Sequence, residues 1–305
     1  MILSELPLPQ LQRRLAGSGL RFKTGAFVTC LRSSIPSVAA GLQQLYADYA
    51  LAEESEFCDF YVRLALPANL RRWWRRQVLF SFDDQAPFAP LPYAHAFPVL
   101  EWGMNWCVSQ HCHTYLIIHA AVVEKGGRAA ILPAPPGSGK STLCAALVTR
   151  GWRLLSDELT LVDLQTGNLM PLPRPVSLKN QSIDVIRRFA PASIMSPPVR
   201  DTLKGTVAHM KAPGESVSRA AVPARPGWII FPRYEAGAPT QLTCLNKGDA
   251  FMQVAENAFN YSLLGSRAFH ALAKVVDGSG CYQFGYSDLD EAIAAFDVLA
   301  AGPTE

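Results

Sequence analysis

Two apolar runs separated by a short polar turn stand out in the hydrophobic pattern at the middle of the chain. Residues 115–124 (Tyr-Leu-Ile-Ile-His-Ala-Ala-Val-Val-Glu) read as a strongly apolar strand, Lys125-Gly126-Gly127 as a tight turn, and residues 128–133 (Arg-Ala-Ala-Ile-Leu-Pro) as a short returning strand. The pair predicts a β-hairpin, so the second arm has an antiparallel neighbour instead of the crossover that a parallel sheet demands. Helical spacing then takes over at residues 141–150 and stops at Gly151. Downstream, Trp152–Ser156, Leu159–Leu164 and Leu169–Leu172 read as strands, the last two joined by the turn Gln165-Thr166-Gly167-Asn168.

Upstream, residues 20–32 predict a hairpin about Thr24-Gly25, the segment from Pro36 to about Leu51 a helix, and residues 57–66 and 77–82 two further strands. The Pro-rich stretch from Ala86 to Pro98 marks a boundary, after which a helix runs from about Phe97 to His111. Residues 173–226, rich in Pro, Arg and Lys and weakly periodic, predict loops and short helices around a site. The remainder predicts strands at Gly227–Phe231 and near Thr240–Leu245, and helices at about Gly248–Leu263, Ser266–Lys274 and Asp288–Ala300. The expected fold class is α/β with a mixed sheet, a small α+β domain over residues 1–98 preceding a larger domain over residues 99–305.

Composition narrows the class. With 305 residues, 49% hydrophobic and 17% charged, the chain is that of a folded globular protein. A net charge of +3 is too near neutral to make nucleic acid the expected partner. Seven scattered cysteines without a C-x-x-C pair argue against a disulfide framework and for a reducing cytoplasm. We expect no secretion signal and no membrane span, because no basic segment precedes a long apolar stretch and no run reaches about 18 apolar residues.

The chemistry lies between the second arm of the hairpin and the helix. Ala134-Pro135-Pro136-Gly137-Ser138-Gly139-Lys140-Ser141-Thr142 matches a phosphate-binding loop with Ala134 in place of the usual first Gly. In such a P-loop the backbone N–H groups wrap the phosphates, the lysine (Lys140) reaches the β/γ oxygens and the hydroxyl of Ser141 faces Mg²⁺. The pattern implies a nucleoside triphosphate and Mg²⁺. Phosphoryl transfer also needs a metal carboxylate and a group to handle the proton of the attacking hydroxyl, and Asp157 and Glu158, after the strand that follows the helix, are the candidates. His119, a polar ring within the apolar strand, is a third candidate. Arg174, Lys179, Arg187, Arg188, Arg200, Lys204, His209 and Lys211 supply cations for phosphates or an acidic substrate, with Arg174 and Lys179 the first choices. His111, Cys112 and His113 cluster without a zinc spacing. Arg71-Arg72-Trp73-Trp74-Arg75-Arg76 mixes cations and aromatics but is too short to outweigh an exposed helix or partner surface.

Three of these features together resemble the HPr kinase/phosphorylase family: His119-Ala120-Ala121 ahead of the Gly-Gly hairpin, the loop from Ala134 to Ser141, and Leu155-Ser156-Asp157-Glu158 before a hydrophobic strand. The branch that resembles this chain most is that of the bacterial HPr-kinase-related proteins of the kinase A type, and the core over about residues 112–250 is also similar to phosphoenolpyruvate carboxykinases. The resemblance implies an ATP-dependent kinase acting on a hydroxyl, with Lys140 and Ser141 as phosphate and Mg²⁺ ligands, Asp157 as general base and His119 beside the phosphates. Glu158 stands where the family's second acid is usually Asp, and no acid precedes Arg174 where the family's later signature has one. The first hundred residues carry no motif of the amino-terminal domain of HPr kinases, so the implied acceptor is a peptide, such as a ribosomally made precursor, or a small molecule. A homo-oligomer fits this expectation, and nucleic acid and membrane do not enter it. The alternatives are a nucleotide-gated binding protein without phosphoryl transfer and a phosphorylase or phosphatase on the same fold.

Overall fold

The computed structural model describes residues 1–68, 73–135 and 137–302. Arg71, Arg72 and the loop residue Pro136 lie outside the described residues. Alternation along the N-terminal strands builds the first sheet. Its strands are β1 (Leu20–Thr24), β2 (Phe27–Ser33), β3 (Phe60–Ala65), β4 (Gln77–Phe82) and β5 (Leu91–Pro92), in that spatial order. Phe60, Val62 and Leu64 point inward while Tyr61 and Arg63 face solvent, the period of two that a sheet with one covered face requires. Helices α1 (Leu8–Ala16), α2 (Pro36–Leu45) and α3 (Ala96–His111) supply the cover, and Leu11, Leu42, Leu100 and Met104 pack into the same core. That core also takes in Ile117, Leu159, Leu161 and Leu172, so it continues into the next sheet.

The helix expected from Pro36 to about Leu51 stops at Leu45. The next residues have other work: Tyr46 and Tyr49 turn inward and are fully buried, and the chain at Ala50–Ala52 runs beside β1, with Lys23 N–H donating to Ala50 O (2.9 Å) and Ala52 N–H to Arg21 O (3.0 Å). Edge pairing with β1 replaces the last helical turn.

The central hairpin forms as its sequence predicts. Strands β6 (Tyr115–Lys125) and β7 (Arg128–Pro133) pair antiparallel from Ala120↔Pro133 to Lys125↔Arg128, and Gly126 and Gly127 both take positive φ in the turn. After β7 comes α4 (Lys140–Thr149), then β8 (Arg153–Ser156), β9 (Leu159–Asp163) and β10 (Leu169–Met170). β8 pairs antiparallel with β6, not directly with β7. The crossover from β7 through α4 to β8 therefore steps over one strand, and β8 ends parallel to β7.

Residues 173–226, expected to be loops and short helices, contain a separate three-stranded antiparallel sheet of β11 (Val176–Lys179), β12 (Val199–Thr202) and β13 (Gly205–Met210), with α5 (Gln181–Phe189) and α6 (Gly214–Ser218). Its strands are short and polar on one face, which masks the alternation. Val176, Leu178, Ala208 and Met210 pack on the core around α4, whereas Ser177 and His209, paired across β11 and β13, are on the opposite face. The large sheet is completed by β14 (Arg225–Tyr234), β15 (Gln241–Cys244) and β16 (Gly280–Tyr286). β14 lies parallel to both β7 and β16, while β15 is antiparallel to β16, so the sheet is mixed. β16 goes unforeseen in the sequence because Gly280, Gln283 and Gly285 interrupt its apolar pattern.

Helices α7 (Lys247–Glu256) and α8 (Tyr261–Leu264) replace the long helix expected over Gly248–Leu263, and α9 (Ser266–Asp277) forms where the helix at Ser266–Lys274 is expected. The interruption satisfies an open strand edge. His119 N–H donates to Asn257 O (2.8 Å), Phe259 N–H to Ile117 O (2.8 Å), and the Asn260 amide bonds both Ile117 N–H and Tyr115 O (2.9 Å each). With α10 (Leu289–Ala301), helix α4 covers one face of the sheet over Leu143, Leu147, Trp152 and Phe296, and α7 with α9 covers the other. No helix among the described residues is long and apolar enough to cross a membrane.

Candidate active site

The loop between β7 and α4 owes its shape to two glycines. Gly137 and Gly139 take φ of +87° and +88°, a region that L side chains rarely occupy. At Gly139 a Cβ would also collide with the Tyr286 hydroxyl and come within 2.9 Å of Tyr234 Cβ. The C-terminal ends of the next two strands, β14 and β16, thereby clamp the loop: Tyr286 Oη donates to Gly139 O (3.1 Å) and Tyr234 N–H to Ser138 O (3.0 Å). Helix α4 begins at Lys140, so its N-terminal N–H groups and the positive end of its dipole face whatever the loop encloses.

Lys140 is 8% exposed. Burial pulls its ammonium below the usual lysine range, and the neighbouring Asp157 and Glu158 carboxylates pull it back up in part. The two acids follow the end of β8, and the site holds them differently. Asp157 accepts from Ser177 N–H through Oδ2 (2.9 Å), while its buried Oδ1 has no hydrogen-bond partner among the described residues. Burial, then repulsion from Glu158, pushes Asp157 up to about 6 against the opposing pull of Lys140, the Ser177 N–H and the nearby Ser141 hydroxyl. Burial pushes Glu158 upward too, but Lys204, Lys179 and Lys140 outweigh it and hold this carboxyl below its ordinary value. Glu158 also accepts from the Asn105 amide, and Lys179 Nζ lies 3.8 Å from its Oε1.

His119 is half-buried on β6, its ring 5.6 Å from that of Phe259. Burial first and the Lys140 charge second push it down to about 4, so the imidazole is neutral at pH 7. The structure thus gathers His119, Lys140, Ser141, Asp157, Glu158 and Lys179 at one place, with Lys204 at its rim, where its ammonium sits 5.2 Å from the centre of the Trp102 ring.

Arg174 takes a different position. It is buried with its guanidinium on the Glu101 carboxylate (2.5 Å), Glu101 O (2.9 Å) and Asn105 Oδ1 (2.6 Å), and Tyr46 donates to Glu101 Oε1 (2.6 Å). Burial pulls Arg174 down, but the Glu101 charge, Tyr46 and the hydrogen bonds to both together outweigh it and keep Arg174 ionised. All its directed bonds go to protein groups, and through Asn105 they reach Glu158. Arg187 pairs with Asp184, Lys211 pairs with Asp48, and Arg188 and Arg200 are exposed. His111 stacks on Phe82, and no group of three metal-ligating side chains occurs there or elsewhere among the described residues. Trp73 and Trp74 are exposed, 77% and 68%.

Sequence reasoning missed Glu101, Asn105, Ser177, Tyr234 and Tyr286. Glu101 and Asn105 carried a signal, since they stand four residues apart in the part of the helix before Ser109 that is otherwise apolar.

No family model matches the chain, and no curated protein matches it. Among solved structures, the Hpr(Ser) kinase/phosphatase from Coxiella burnetii aligns over 61% of this chain and 99% of its own, with 12% sequence identity and a TM-score of 0.28. At that identity and TM-score, the chemistry of the site rests on the residues described above.

Proposed function

We propose that the protein is an ATP-dependent kinase that transfers the γ-phosphoryl group to a hydroxyl, that of a serine in a peptide or protein or of a small metabolite. The observation that carries this reading is a buried lysine, Lys140, beneath two left-handed glycines, with Ser141 and the unpartnered Oδ1 of Asp157 beside it. The loop N–H groups and the α4 terminus hold the phosphates, and Lys140 places its charge on the β/γ oxygens. Asp157 takes the proton of the acceptor O–H as that oxygen bonds to the γ-phosphorus, the bond from phosphorus to the β–γ bridging oxygen breaks, and ADP leaves. A carboxyl pushed up to about 6 is well matched to this task, because it is ionised at pH 7 yet basic enough to accept a proton.

The donor set suits a hard divalent cation, which takes oxygen ligands: Ser141 Oγ, Asp157 Oδ1 and the ionised Glu158 are the residues that would hold Mg²⁺. Bound there, the ion neutralises phosphate charge. Glu158 is oriented by Asn105, and neutral His119 offers a ring nitrogen to the phosphates without adding charge.

The test is ADP formation together with mass spectrometry of a peptide and metabolite pool incubated with ATP, seeking a phosphate-sized increment. Lys140→Ala and Asp157→Asn are each expected to lower the rate by about 10²-fold or more. Tight ATP binding with no acceptor turnover, unaltered by Asp157→Asn, would establish a nucleotide-gated binding protein instead.

A further inference from the structure

Trp102 Nε1, Asp157 Oδ1, Ser177 Oγ and His209 Nε2 are buried polar atoms without a hydrogen-bond partner among the described residues, and all four residues line one cavity. Buried polar groups are nearly always paired, so four such atoms around a single hole call for a common partner. The cavity is about 20 Å³ and lies between α3 and the face of the small sheet that carries Ser177 and His209. One water needs about 10–15 Å³ and two to four polar neighbours. The valences also match. An indole N–H only donates, an ionised carboxylate only accepts, and a hydroxyl and a neutral imidazole supply one of each as needed, which is the set a four-coordinate water satisfies.

We propose that this cavity is a water site, and that Trp102, Ser177 and His209 are positioning residues that fix the Asp157 carboxylate through the bound water. The proposal rests on the reading of Asp157 as the base. Ser177 N–H already holds Oδ2, and the water holds Oδ1, so the carboxylate plane is fixed at both ends. Each carboxylate oxygen has two acceptor directions, which leaves Oδ1 a second one for the side facing Ser141. The frame around the water is itself held: the His209 ring stands edge-on to Phe97 at 5.6 Å, and Lys204 covers the Trp102 ring.

The experiment is a crystal structure of the nucleotide-free protein at a resolution that places waters, compared with Trp102→Phe and Ser177→Ala. Trp102→Phe keeps an aromatic ring and removes the N–H together with part of the indole, so it tests the water even if Ser177→Ala folds poorly. The expected result is a density peak within about 3.2 Å of all three positioning atoms in the wild type. In either variant the peak is lost and the Asp157 carboxylate rotates off Ser177 N–H. In phosphoryl transfer, each variant lowers kcat roughly tenfold or more and leaves KM for ATP unchanged. A dry cavity, or an Asp157 that keeps its orientation in both variants, overturns the proposal. An inactive wild type with the peak and the rotation present overturns the kinase reading and leaves the water site standing.

Discussion

At position 157 a carboxylate that is 5% exposed sits next to Glu158, so two like charges share a place from which water is largely excluded. The consequence for stability has a definite sign. The folded protein holds the Asp157 proton up to about pH 6, whereas an unfolded aspartate releases it near 3.8, so stability falls as pH rises between those values. About two pKa units correspond to roughly 3 kcal/mol. Asp157→Asn, which keeps an acceptor for Ser177 N–H, is therefore expected to lower transfer about 10²-fold or more yet to be more stable than the wild type at pH 8 by up to about 3 kcal/mol, with the gain fading toward pH 4. Urea denaturation at the two pH values checks this, and a variant less stable at pH 8 refutes it. Activity follows the same carboxyl: kcat/KM, which reports the free protein, is expected to fall as pH drops through about 6, and because His119 stays neutral down to about 4, His119→Gln should leave that limb in place. A limb that moves with His119→Gln would put the titration on the wrong residue. His119, Lys140, Ser141 and the acid pair were legible in the sequence because each has a fixed offset from an apolar strand or helix start. Ser177 was not, and His209 was read only as a cation, because the face they share exists only when β11 and β13 pair and face α3. Arg174 was read as a cation for phosphates, and the ion pair that engages it comes from Glu101, 73 residues earlier.

At the scale of elements, the loop and its clamp make a graded prediction. Gly137 has open space where a Cβ would go, so Gly137→Ala bears only the cost of its positive φ, about 1–2 kcal/mol. Gly139→Ala adds a collision with the Tyr286 hydroxyl, and it should weaken ATP binding far more than Gly137→Ala does. Tyr286→Phe removes the hydroxyl, at a cost of about 1 kcal/mol for the lost bond to Gly139 O, and relieves the closer of the two collisions, leaving the one with Tyr234 Cβ. Calorimetric titration of ATP into the three single variants and Gly139→Ala/Tyr286→Phe checks the order, and equal losses at both glycines would contradict the clamp. The loop and the hairpin before it could be read because Gly-Gly and Gly-x-Gly-Lys are local signals. The clamp could not, since β16 hides its strand character behind two glycines and a glutamine and touches the loop only after it has paired with β14. The break between α7 and α8 has the same origin: residues 257–260 look helical in sequence but bond the open edge of β6.

Across the whole molecule, the first core runs without interruption from the N-terminal sheet through α3 to Ile117, Leu159 and Leu161 of the large sheet. Arg174, Glu101 and Tyr46 form a charged, hydrogen-bonded cluster inside this apolar seam. Taking two charges out of water is costly, and removing one partner is costlier, because the other stays buried and unpaired. Arg174→Met and Glu101→Met are thus each expected to destabilise by about 3–5 kcal/mol, while the double variant, of similar volume and fully apolar, should recover most of that loss. Activity should not recover with it. Asn105 is held by Arg174 and in turn holds Glu158, so the double variant frees the Asn105 amide to turn and releases the second carboxylate. The expected outcome is a protein near wild-type stability in urea with kcat still reduced roughly tenfold or more. Stability and activity recovering together would show that the cluster serves only the fold. Activity lost while stability returns would show that a pair buried more than one side chain away from the loop is kept for the carboxylate it orients.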